Sequence, residues 1–150
     1  MIKSFRGRLT DGEQERIRLH TNDGLTGYKI VKFQIMDSEP GVSVDVEHVV
    51  KVYTKEQDSI TGTIDFRDPL LLAAGFSKLG NGPSELLAET IIFDNMTVNQ
   101  DVFVTALDNS AANGTVNYYI EMERVKLSHD EAAVATLKDM RAGPDTRFGP

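Results

Sequence analysis

Turn-forming residues punctuate this chain at intervals that suit single strands. "DGEQ", "TNDG", "SEPG", "DPLL", "GNGP", "NSAANG" and "AGPD" place Gly, Asn, Asp and Pro where tight turns need them. Several short segments between such signals favour an all-β sandwich or barrel. The segments themselves alternate. "ERIRLH" sets Ile17 and Leu19 on one face and charges on the other. "YKIVKFQIM" sets Val31, Phe33 and Ile35 on one face, with Tyr28 and Ile30 opening the other. "VSVDVEHVVKVYT" alternates Val44, Val46, His48, Val50 and Val52 with more polar residues, and "SITGTIDF" repeats the pattern through Ile60, Ile64 and Phe66, with Gly62 as a weak point. "DVFVTAL" and "TVNYYIEMERVKL" add two late strands, the second with Val116, Tyr118, Ile120 and Met122 on one face. The sum is seven or eight strands, which is the number expected of a sandwich. Two stretches read both ways: "DPLLLAAGF" as a short helix or an apolar strand, and "PSELLAETIIFDN" as a helical turn that becomes extended from Thr90.

The rhythm changes once, inside "NYYIEMERVKLSHDEAAVATLKDMRAG" at residues 117–143, where period two gives way to a helical repeat. Ser128 followed three residues later by Glu131 is a capping box. Asp130 and Glu131 suit the positive end of the helix dipole, Lys138 and Arg141 the negative end, and Gly143 with Pro144 stops the helix. A helix over about 128–142 follows. Its narrow apolar stripe of Ala133, Val134, Leu137 and Met140 has to dock, because so short a helix is marginal alone in water. Covering its own sandwich is the plain expectation and meeting a neighbouring subunit the sharper one. The fold class expected is therefore all-β, mainly an antiparallel, jelly-roll-like β-sandwich, with one C-terminal α-helix. Residues 1–143 form a single domain and 144–150 a flexible C-terminal tail, whose Arg147 and Phe148 join Val134, Leu137 and Met140 as candidate interface residues.

A chain of 150 residues with 40% hydrophobic content can bury a sizeable core without a staple, and it has no cysteine to make one. No apolar run approaches the ~20 residues that span a bilayer, and the charged opening does not resemble a signal peptide, so a soluble protein without membrane contact is expected. The formal charge of −7 argues against direct nucleic-acid binding. The one basic cluster, Lys3, Arg6, Arg8, Arg16 and Arg18, reads as a solvated strand face or a patch that meets an acidic neighbour.

Catalytic and cofactor patterns do not emerge. His20, His48 and His129 lie without a G-x-S-x-G turn or another recognisable nucleophile, and none forms an H-x-x-x-H or H-E-x-x-H pair. His48 reads as a hydrogen-bonded, partly buried side chain and His129 as solvated. Acid pairs such as Asp65 with Asp68, or Asp94 with Asp101, are expected by chance among 23 acids. "FDNMTVNQD" and "LDNSAANG" are oxygen-rich but lack EF-hand spacing, and "GNGP" lacks the lysine of a phosphate loop. No enzyme, cofactor or metal is expected.

"MIKSFRGRLTDGEQERIRLHTNDGLTGYKIVKFQIM", "IIFDNMTVNQDVFVT" and "NYYIEMERVKLSHDEAAVATLKDMR" together resemble a family of small virion-associated proteins of tailed marine bacteriophages. The resemblance implies a structural component of the virion, assembled in the host cytoplasm. Its first form is a capsid decoration or cement protein that binds copies of itself, as a homo-oligomer, and other virion proteins such as the major capsid protein. The alternative it leaves open is a tail or fibre component that binds a glycan or receptor, for which Tyr53, Tyr118 and Tyr119 are the aromatic candidates. It assigns a function to no single residue.

Overall fold

The computed structural model describes residues 1–40, 45–80, 88–110 and 112–141. Among the described residues eight strands precede one helix: β1 (Ile2–Leu9), β2 (Gln14–Ile17), β3 (Thr26–Asp37), β4 (Val46–Tyr53), β5 (Leu71–Leu79), β6 (Ala88–Phe93), β7 (Val102–Asp108), β8 (Val116–Lys126) and α1 (His129–Arg141). They form two antiparallel sheets, ordered β1-β8-β3 and β2-β7-β4-β5-β6. The pairs β1 with β8, β2 with β7 and β4 with β5 are the rungs of one long ribbon rolled into two layers, which is jelly-roll winding. The roll departs from a complete one at a single place. β6 pairs with β5 instead of closing on β3, and β3 lies across from both β5 and β6 without a ladder to either.

Between the sheets lies one apolar core. Leu9, Tyr28, Ile30, Phe33, Ile35, Val116, Tyr118, Ile120 and Met122 come from the three-stranded sheet, and Ile17, Val50, Val52, Leu72, Val102 and Val104 from the other. The expected face of β8 is thus the core face. In β3 the alternation changes phase: Ile30 pairs with Met122 and Lys32 with Glu121, so Val31 is the extra residue of a β-bulge. That bulge puts Tyr28 and Ile30 on the same side as Phe33 and Ile35 and turns Val31 partly outward, correcting the face read from simple alternation.

"SITGTIDF" is not a strand. Residues 54–70 run without regular structure over the outer face of the five-stranded sheet. Lys51 Nζ donates to Thr63 O at 2.7 Å, Gln57 N donates to Gln14 Oε1 at 2.9 Å, and Gly62 packs on Asn109. This strap buries Lys51, Tyr53 and Thr105, so β4 is covered on both faces rather than wet on one. Burial lowers the Lys51 pKa, with Asp68 opposing the shift. The ambiguous "LLLAAGF" is strand from Leu71. Extended chain at Thr90 belongs to β6, while the helical turn expected after Pro83 and Val44 both lie outside the described residues.

Candidate functional site

α1 starts where its capping box requires. Ser128 Oγ accepts from Glu131 N at 3.2 Å, and Glu131 Oε1 accepts from Ser128 N at 3.1 Å. Those bonds from Ser128 hold the Glu131 carboxyl below its usual range. The helix then docks through its small and polar side. Ala132 is buried, Asn99 Nδ2 donates to Thr136 Oγ1 at 3.0 Å and to Ala132 O at 3.4 Å, and Lys55 Nζ donates to Asp139 Oδ2 at 2.7 Å. Asn99 also donates to Gly24 O, so one buried amide ties the turn at Gly24 to the helix. Beneath α1 lies a pocket of about 260 Å³ lined by Thr54, Met96, Asn99 and Ala135.

The stripe expected to cover the sandwich is largely exposed, with Val134 at the edge of a groove shared with Met96 and Leu127. Val134, Leu137 and Met140 are 52%, 51% and 68% exposed. Residues 132, 136 and 139 lie together at helical spacing, while 134 and 137 fall on the far side and 140 on the flank. The plain expectation is overturned because the sandwich offers Asn99 and Lys55 at the docking site, which match Thr136 and Asp139 rather than branched apolar groups. Arg147 and Phe148, with the rest of 144–150, lie outside the described residues.

A second outward apolar cluster was missed by the periodicity. Phe66 on the strap is 67% exposed, and Ile92 and Phe93 of β6 are also exposed. A cleft of about 280 Å³ lies between Phe66 and these residues, with Leu71 and Asp94 on its rim. The signal for it is "TIIF", an apolar run without polar alternation, which by itself indicates only extended chain.

Of the aromatic candidates for glycan contact, Tyr53 and Tyr118 are buried. Tyr118 donates to Glu15 across the sandwich, and burial followed by that carboxylate raises its pKa. Tyr119 alone reaches the outer face of the three-stranded sheet. There it lies between Arg6 and Gln34 in register and shares a shallow groove with Arg8 and Asn117. Arg6 and Arg8 thus occupy a solvated sheet face, while Arg16 stacks on Phe103 at 5.2 Å.

Two of the three histidines have carboxylate partners that spacing did not reveal. His20 Nδ1 lies 2.7 Å from Asp101 Oδ1 at the surface. Burial pushes the Asp101 carboxyl up, but bonds from the His20 ring and from the His20 and Leu19 amides outweigh it and lower the pKa. His48 is fully buried rather than partly so, and its Nε2 lies 2.6 Å from Asp37 Oδ1. Beside it Asp108 organises the turn after β7. It accepts from Glu47 N, Ser110 N and Ser110 Oγ on one oxygen and from Gly114 N on the other. Burial again opposes, and these donors win, so the Asp108 pKa is lowered. His129 is exposed at the helix start. Among the described residues no three of His, Cys, Asp and Glu come together in a metal-holding group, and no helix is long and apolar enough to cross a membrane.

No protein-family model matches the chain, and no curated protein matches it.

Proposed function

We propose that this chain is a non-enzymatic structural protein of a bacteriophage virion, a capsid decoration or cement protein that acts through subunit contacts. The observation that carries this reading is the outward stripe of Val134, Leu137 and Met140 on a helix already anchored by its opposite side. Helix docking does not use these side chains, so they are left for contact with another protein. Covering each is worth roughly 1.5–3 kcal/mol, modest singly and large when repeated over many copies on a shell. The net charge of −7 helps keep free subunits soluble before assembly. The partners proposed are copies of the chain itself and a shell protein such as the major capsid protein, met in the host cytoplasm during assembly.

Mass spectrometry of gradient-purified virions tests the reading. The expected result is the chain present at a copy number in simple ratio to the major capsid protein, and its absence from particles overturns the proposal. In reconstitution, Leu137→Lys with Met140→Lys should leave the fold intact and weaken particle binding. The second reading, a tail or fibre component that binds a glycan or receptor, draws on Tyr119 with Arg6, Gln34 and Asn117 on one open sheet face. Labelled particles imaged with the chain on the tail instead of the shell would favour it.

A further inference from the structure

We infer that β6 is a pairing edge and that a second copy of this chain adds its own β6 there, joining two five-stranded sheets into one across a two-fold axis. The inference deepens the self-association part of the proposed function and rests on it there; the edge itself is a property of the fold.

Two sheets have four edge strands, and three of them are guarded in ways that discourage pairing. β2 is four residues long and carries Glu15 and Arg16. β1 carries Lys3, Arg6 and Arg8. β3 carries Lys29 and Lys32 around the bulge at Val31. β6, "AETIIF", has no proline or lysine, its ladder to β5 runs without a register shift, and its one charge is Glu89. Among the described residues no strand pairs with its far side. An exposed β-rich edge of this kind leaves main-chain donors and acceptors that another strand satisfies. Because β3 lies over both β5 and β6, it caps a face of the sheet and leaves that edge open.

The side chains point to a like strand as the occupant. Ile91 packs inward on the core, so Ile92 faces outward beside Phe66 of the strap and the cleft between them. An antiparallel pair centred on Ile91 sets Thr90 opposite Ile92 of the second copy. It also separates the two Glu89 carboxylates by four residue steps, about 13 Å, beyond the screening length of ~8 Å at physiological salt. Parallel pairing would stack those charges. A two-fold axis brings the Ile92 and Phe66 surfaces of both copies together on the outer face, an isologous contact that closes on itself.

The test is sedimentation velocity of the full chain over a wide concentration range, with amide hydrogen exchange read at β6. The wild type should dimerise and protect the β6 amides that point away from β5. Ile92→Lys should weaken the dimer by roughly tenfold or more, lose that protection, and keep its circular dichroism. Thr90→Lys, on the same face, gives the same reading should Ile92→Lys fail to fold. A dimer that survives both edge variants but dissolves with Leu137→Lys overturns this inference and leaves self-association standing. A wild type that is monomeric throughout overturns both. Protection of the outward β6 amides in a monomer means that the chain covers its own edge, and it also overturns the inference.

Discussion

His48 and Asp37 bridge the two sheets from inside, and removing both partners should cost less than the two single removals added together. Asp37 ends β3 in one sheet, and His48 lies in β4 of the other, opposite Ser77 and Asp108 in the ladders. Both side chains are buried, at 8% and 1% exposure. His48→Leu leaves the Asp37 carboxylate with the Glu39 amide, at 2.9 Å, as its remaining donor among the described residues. Stranding one member of a buried pair costs roughly 3–5 kcal/mol. For a chain of this length each kcal/mol moves Tm by about 2–4 °C, so the expected loss is roughly 6–20 °C. Asp37→Asn keeps the shape and a neutral hydrogen bond, and should cost only about 1–1.5 kcal/mol, the difference between a charged and a neutral bond. The double variant Asp37→Leu with His48→Leu should lose less than the two single Leu variants added together, with a coupling of about 0.5–3 kcal/mol. Urea unfolding followed by circular dichroism and tyrosine fluorescence gives all four stabilities. A His48→Leu protein within about 0.5 kcal/mol of wild type, or strictly additive leucine variants, refutes the reasoning.

Ser128→Ala should remove one half of the capping box and cost about 0.5–2 kcal/mol, read as a lower melting temperature together with faster amide exchange in the first turn of α1. Asp108 and Asp101 contribute to the acid limb. Both have folded-state pKa values below the unfolded value near 3.9, so their contribution is complete above that pH and is lost as pH falls through the lowered folded values. Stability against pH should therefore decline below about pH 4–5, and Asp108→Asn should lower the neutral plateau and flatten that decline; an acid limb of unchanged slope would contradict the assignment.

Local chemistry alone determined much of this protein. Turn residues at short intervals, period-two alternation and a Ser128–Glu131 capping box each act within a few residues, so they announced a strand-rich sandwich and placed α1 to within a residue of its observed start. What faces what was decided only by packing. The bulge at Val31 inverts the alternation of β3, and nothing in "KIVKF" distinguishes the extra residue until Met122 and Glu121 are paired with its neighbours. "SITGTIDF" alternates like a strand, yet both neighbours of β4 are already taken by β5 and β7, so it crosses the face as a strap and buries Lys51. The helix has a legible apolar stripe, but the choice of docking side depended on Asn99 and Lys55, distant in sequence, meeting Thr136 and Asp139. That choice left Val134, Leu137 and Met140 exposed, just as the pairing of β6 with β5 instead of β3 left Ile92 on a strand with no second partner among the described residues. Periodicity shows that a segment has an apolar side, whereas long-range pairing determines whether the protein itself covers it.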